Sequence, residues 1–260
     1  MDFTFSNEQK IFRDTIYRFC REEVAPLCEE SDRKGEFSFE VWRKLGGMGL
    51  LGLPIPETYG GAGADFITCC IAGEAMGHAG VDGGHLLTLG AHSYLCAANI
   101  VEHGTEEQKQ KYLPGLATGD DIGCMCLTEP SCGSDAGALL TAAVRKGDKY
   151  ILNGSKTFIT NAPDAGVFIV FATLDRSTKH KGITCFIVDR DTPGLSTGNP
   201  MHKMGCRCST TSEVFFEDCE VPEENLLGGE GKGWEIALGG VEWDRSVLLS
   251  PFLGNAMFMY

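Results

Sequence analysis

The spacing of apolar residues changes twice along this 260-residue chain, and those changes limit the fold more than any other feature. Up to about residue 115 the spacing is helical. Ser6-Asn-Glu-Gln9 has the form of a capping box, and Ile11, Phe12, Ile16, Phe19 and Val24 keep to one face of a helix running to about Ser31. Ser38 opens a second helix through Leu45, closed by Gly46-Gly47. Pro54, Pro56 and Gly60-Gly61 make 49–63 a loop. A third helix is expected from Asp65 to His78 with Ile67, Ile71 and Ala75 inward, and a fourth from about His85 to His103. Thr105-Glu-Glu-Gln108 caps one that ends at Pro114. The spacing then shortens to that of strands: Ile122–Leu127, Leu139–Arg145, Tyr150–Asn153, Lys156–Ile159, Val167–Thr173, Gly182–Val188 and Glu213–Phe216, with a hairpin at Lys146-Gly-Asp-Lys149. From Gly231 the helical spacing returns through Trp234, Ala237, Leu238, Val241, Val247 and Leu248, and Pro251 should kink or break that helix. The expected fold class is α+β and multidomain. An all-α N-terminal domain (1–120) is followed by an all-β barrel or sandwich (121–230) and the start of a C-terminal helical domain (231–260). A single half-apolar helix at the end needs a partner to cover it.

One junction stands out within the strand region. The apolar run ending at Leu127 stops at Thr128-Glu-Pro130, because proline removes a donor and biases Glu129 to an extended conformation. Ser131 to Asp135 then form a small polar loop whose backbone N–H groups suit a flat ligand with carbonyls and an anionic tail. An ordinary strand-to-loop junction has the same composition, and the residues alone leave both readings open.

Charge and cysteine usage exclude several classes. The net charge of −14 argues against nucleic acid or an anionic membrane as partner. Twelve cysteines are scattered through apolar runs, where a free thiol packs as a small hydrophobe, so a reducing compartment is expected. Cys124-x-Cys126 and Cys206-x-Cys208 lack zinc-site spacing, so no metal site is expected; nor is one expected from His85 and His92, which have no third ligand at matching spacing. No exported leader and no run of about 18 apolar residues is found, which gives a soluble, cytoplasmic expectation, or the mitochondrial matrix in a eukaryote.

Four stretches carry a resemblance. Cys126-Leu-Thr-Glu-Pro-Ser-Cys-Gly-Ser-Asp135 resembles the C-x-T-E-P-x-x-G-S-D signature of the flavin-dependent acyl-CoA dehydrogenases. Asn153-Gly-Ser-Lys-Thr-Phe-Ile-Thr-Asn161 is similar to their N-G-x-K-x-W-I-T-N segment, with Phe158 in place of Trp. Lys203 to Pro222 resembles the M-G-x-R-x-S-x-T…V-x-F-x-D-x-x-V-P run, and Pro54 to Gly61 the I-P-x-x-x-G-G loop. The matches keep the family's order and span nearly the whole chain.

The resemblance implies FAD as cofactor and α,β-dehydrogenation of acyl-CoA thioesters, with electrons passed to an electron-transfer flavoprotein. It places Met125, Cys126, Leu127, Thr128, Gly133 and Ser134 along one side of the flavin, and Phe158, Ile159 and Thr160 in a second flavin segment. Ser134 is also implied at the acyl chain. Glu242-Trp-Asp-Arg245 matches a D-x-x-R segment that contacts CoA, making Glu242, Asp244 and Arg245 candidate substrate residues, with Glu242 one methylene longer than the family's Asp. The usual catalytic carboxylate belongs to a C-terminal domain beyond these matches. A minority of members carry it just before the D-x-x-R arginine, which is Asp244 here. The family also implies a homodimer or homotetramer. A non-catalytic flavin- or acyl-CoA-binding subunit and an oxidase or monooxygenase on the same fold are the alternatives.

Overall fold

The computed structural model describes residues 4–260. Ser6 caps α1 (Asn7–Phe19) with both reciprocal bonds of the capping box. The helix passes through a π turn, Cys20–Val24, into α2 (Ala25–Lys34), further than Ser31. The π turn explains which face is buried. Phe12, Ile16, Cys20, Val24 and Cys28 recur every four residues, a spacing that drifts by about 40° per step on a regular α-helix. The wider turn takes up that drift, so the stripe stays on the core. Ile11 falls off it and is exposed, against expectation. The same correction applies to Ile67, whose neighbours Ile71 and Ala75 are buried as expected.

α3 (Phe39–Gly47) starts at Ser38 and α4 (Phe66–His78) at Asp65, both with side-chain caps. α5 (Gly83–Gly90), a π turn (Ala91–Ala97) and α6 (Ala98–His103) form one continuous rod. α7 (Glu106–Thr118) does not end at Pro114 but runs one turn past it, to Gly119 in the left-handed region.

Eight strands form one sheet: β1 (Gly123–Cys126), β2 (Ala142–Lys146), β3 (Lys149–Thr160), β4 (Val167–Thr173), β5 (Ile183–Asp189), β6 (Leu195–Thr197), β7 (Thr211–Pro222) and β8 (Leu226–Leu227). The order is β6-β7-β3-β2-β4-β5-β8, with β1 parallel to β4. The hairpin at 146–149 forms as expected. The apolar run 167–173 is buried on both faces. Phe168, Val170 and Ala172 enter a core enclosed by the sheet, while Val167, Ile169 and Phe171 pack on the helices. Asn153 to Ser155 is no break between two strands. β3 runs straight through with register shifts at Leu152/Gly154 and Lys156/Ile159. Gly154, at φ +150°, is required there because a Cβ would meet the Thr141 Cα at 2.7 Å.

The last helix finds its partner inside the chain. α8 (Gly233–Trp243) passes through a π turn, Asp244–Leu248, into α9 (Leu249–Met259), and Pro251 breaks nothing. The wide turn just before Pro251 is where the missing N–H is accommodated. α9 lies against α4 at glycine-to-backbone distance: a Cβ on Gly77 would sit 2.0 Å from the Pro251 carbonyl oxygen. Asn255 Nδ2 donates to the Gly77 and Val81 carbonyls at 3.0 and 2.8 Å. Gly77→Ala is therefore expected to destabilise the protein by about 1–3 kcal/mol despite alanine's better helix propensity. Denaturant unfolding checks this, and an unchanged or raised midpoint would contradict the packing. Among the described residues no helix is long and apolar enough to cross a membrane.

Candidate active site

The segment just past β1 lies beside the last residues of β3, while Asn161 after β3 bonds Gly123 at the start of β1, and these stretches make the candidate site. Gly123 N–H donates to Nδ1 of fully buried His92 at 3.0 Å, and His92 Nε2 donates to the Leu116 carbonyl at 2.9 Å. Both ring nitrogens are thus used, and burial pushes the imidazole down to about 4, so it stays neutral. His92 is a satisfied core residue that anchors the start of β1. Beyond Cys126 the chain leaves the sheet, and Thr157 N–H donates to the Thr128 carbonyl at 2.9 Å. That bond joins the two segments singled out in the sequence, 125–134 and 158–160.

A buried ion pair holds the junction. Lys156 Nζ donates to Glu129 Oε1 at 2.8 Å and to the Leu127 carbonyl at 3.2 Å. Glu129 also accepts from the Leu140 and Thr141 amides at 2.6 and 2.9 Å. The Lys156 side chain is fully buried and that of Glu129 is 3% exposed. Burial works to raise the Glu129 carboxyl, but Lys156 and the two backbone donors hold it below the usual carboxylate range. Burial draws Lys156 below its ordinary value, against the opposing pull of Glu129. One charged cluster thereby ties the end of β1, the loop and the start of β2 to β3.

The loop's other residues divide by exposure. Gly133 and Ser134 are exposed, and Met125, Leu127, Thr128 and Thr160 are half-buried. Cys126 and Ile159 are buried in the sheet core, so anything they offer a ligand comes from their backbone. Phe158 is the reverse case, 67% exposed at φ +57°. An aromatic residue in the left-handed region carries a strain of about 1–3 kcal/mol. The flanking bonds impose it: Thr157 N–H to Thr128, and Asn161 N–H to the Thr210 carbonyl at 2.8 Å. Asn161, itself at φ +71°, bonds the Thr88 and Gly123 carbonyls through Nδ2 at 3.0 Å each. The backbone therefore turns the Phe158 ring outward beside the loop, and a Cβ on Gly133 would meet nothing within 4 Å. Open space, half-exposed hydroxyls and one outward ring fit a flat aromatic ligand.

α8 runs alongside this wall. A Cβ on Gly240 would lie 2.9 Å from Asn99 Nδ2 and 3.5 Å from Met125 Sδ. One turn on, Asp244 opens the π turn and is half-buried. Burial raises its carboxyl, with Arg245 opposing. Trp243 fixes the turn by stacking on Phe66 at 3.7 Å between centroids and donating to Glu102 Oε1 at 2.9 Å. Glu242 and Arg245 are exposed, and among the described residues no hydrogen bond joins Glu242, Asp244 or Arg245 to the loop. A cavity of about 400 Å³ lies next to the loop, lined by Asp135, Leu139, Leu140, Arg176, His180 and Trp234 among others. Arg176 Nη2 donates to the Leu140 carbonyl at 2.5 Å. Arg176 and His180 escaped the sequence reading, although the run Arg176 to Lys181, with three Lys or Arg residues in an acidic chain, was the available signal.

Two family models match the chain: the N-terminal domain of acyl-CoA dehydrogenase over residues 6–120 and its middle domain over 124–219. A short-chain-specific acyl-CoA dehydrogenase of Clostridium acetobutylicum is 44% identical over 98% of this chain and 67% of its own. The chain belongs to the acyl-CoA dehydrogenase family. It spans 59–67% of the length of the curated relatives it matches. The family fold is shared with butyryl-CoA dehydrogenase from Megasphaera elsdenii, with TM-score 0.91 and 40% identity over 98% of this chain and 67% of that one. The prolyl acyl carrier protein oxidase AnaB superposes with TM-score 0.96 at 38% identity, over 98% and 68% respectively.

Proposed function

We propose that this chain carries the FAD- and thioester-binding walls of an acyl-CoA dehydrogenase and takes part in α,β-dehydrogenation of an acyl thioester. The observation that carries the reading is the Thr157-to-Thr128 bond, which sets the outward Phe158 beside the open loop. Met125, Thr128 and Thr160, with the backbone of Cys126, Leu127, Gly133, Ser134 and Ile159, would hold the flavin in this reading, and Phe158 would offer it an aromatic face. Bound FAD would supply the acceptor for the β-hydrogen and its electron pair, with an electron-transfer flavoprotein as the onward acceptor. The Thr128 and Thr160 hydroxyls and the loop's backbone donors would offer a bound flavin hydrogen bonds that stabilise negative charge. Ser134 and Leu139 border the thioester. Arg176 and Lys179 supply the positive charge for the phosphates of CoA, with His180 as a further hydrogen-bonding group and Trp234 as a stacking surface. Asp244 takes the α-proton onto a carboxylate oxygen.

A second reading places the acyl group on a carrier protein, supported by the 38% identity to the prolyl acyl carrier protein oxidase AnaB. Anaerobic addition of acyl-CoA to the FAD-loaded protein is expected to bleach the flavin's visible absorbance. Failure to bind FAD would overturn the flavin reading. Bleaching only by a carrier-bound acyl group would select the second reading, and rapid reoxidation by oxygen would mark an oxidase.

A further inference from the structure

Away from the flavin wall, four side chains from three separate segments close on one point. Asp82 is the N-cap of α5, and its Oδ1 accepts from Gly84 N at 2.8 Å and His85 N at 3.2 Å. Its other oxygen, Oδ2, faces His85 Nδ1. Cys28 comes from α2, and its Sγ, an Asp82 oxygen and a His85 ring nitrogen all lie within 4.8 Å of one another. Cys208, from the loop before β7, brings Sγ to 3.0 Å from Asp82 Oδ1 and 3.5 Å from His85 Nδ1. Cys28, Cys208 and His85 are buried.

We propose that Cys28, Cys208, His85 and Asp82 form a zinc site. Two thiolates, an imidazole and a carboxylate are a zinc donor set, and metal bonds of about 2.0–2.3 Å place tetrahedral ligand atoms roughly 3.3–3.8 Å apart. Cys28, Asp82 and His85 already lie within 4.8 Å of one another, and Cys208 is close to Asp82 and His85 but farther from Cys28, so its side chain swings toward Cys28 to complete the set. Asp82 Oδ1 keeps its two backbone bonds while Oδ2 turns to the metal, which replaces the hydrogen bond to His85. The approach of Cys208 depends on Gly84, where a Cβ would lie 2.3 Å from its Sγ. A cavity of about 1100 Å³ lined by Arg21, Cys28, Asp82, Gly83 and Cys206 gives the ion a way in. With four protein ligands and no place for a reactive water, the site is a brace. It pins α2 and α5 to the loop whose Thr210 carbonyl accepts from Asn161, next to the strained Phe158. Spacing along the sequence pointed away from a metal because each ligand-bearing segment lies far from the others in the chain.

The site stands independently of the flavin reading. After chelator treatment, zinc addition and desalting, the full chain is expected to retain one zinc by mass spectrometry of the metal. Cobalt in its place should show a thiolate-to-cobalt charge-transfer band in the near ultraviolet. Cys28→Ser and Cys208→Ser are each expected to weaken zinc binding about tenfold or more. Failure to retain stoichiometric zinc, or cobalt binding without the thiolate band, would overturn the proposal without recourse to any variant. Full zinc retention in both serine variants would do so too, by assigning the metal to other cysteines.

Discussion

Lys156→Met is expected to lower the free energy of unfolding by about 3–5 kcal/mol, because it leaves Glu129 charged and buried without its cation. That is a large share of the 5–15 kcal/mol that holds a domain together. The damage should concentrate at the flavin wall. Lys156 also carries the bond to the Leu127 carbonyl, so its removal frees the end of β1 as well as the loop. Flavin affinity is expected to fall with stability. Glu129→Gln keeps an acceptor for one of the Leu140 and Thr141 amides and removes the stranded charge. The double variant Lys156→Met/Glu129→Gln should therefore recover part of the loss, but not all, since one backbone donor is left short and costs about 1–3 kcal/mol. A double-mutant cycle by denaturant unfolding measures this, and additive single effects would show that the pair is not coupled. Acid supplies a second check. Glu129 has its folded value below its unfolded one, so its contribution is present above the ordinary carboxylate range. It is lost as pH falls through the lowered value. Lys156→Met should flatten that acid limb.

The order of helix, strand and helix could be read from apolar spacing because each period buries a different face, and the caps at Ser6, Ser38, Asp65 and Thr105 set the starts. What misled were local rules overruled by packing. Pro114 and Pro251 sit inside helices whose neighbours hold them, and Gly154 marks a close approach to Thr141 where a turn was expected. The three π turns, unreadable from a 3.6-residue template, decide which residues face inward and where Asp244 stands. In the site, the loop and Phe158 were visible as motifs, but the pairing of Glu129 with Lys156 links residues 27 apart in sequence. The left-handed backbone at Phe158 has no composition signal at all, since aromatic residues seldom adopt it.

Asp244→Asn is expected to cut the rate of flavin reduction by about 10²–10⁴-fold, the usual worth of a positioned general base. Asparagine matches aspartate in shape, so thioester binding should change little and the loss should appear in the reduction step. The site's environment makes a further demand. Burial raises the Asp244 carboxyl above its ordinary value of about 3.9, with Arg245 only partly offsetting this. A base must be ionised, so the reduction rate should climb as pH rises through the raised value, and Asp244→Asn should erase that limb. Stability runs the other way. A carboxyl raised in the fold contributes most below its unfolded value, and that contribution is lost as pH rises through the folded one. At neutral pH the fold therefore holds a charge it would rather have protonated, and Asp244→Asn should unfold at the same temperature as the parent or slightly higher. Loss of activity with unimpaired stability separates a base from a structural residue. Full activity in the variant would remove Asp244 from the mechanism. A fall in melting temperature would reassign it to the support of the π turn that Trp243 anchors.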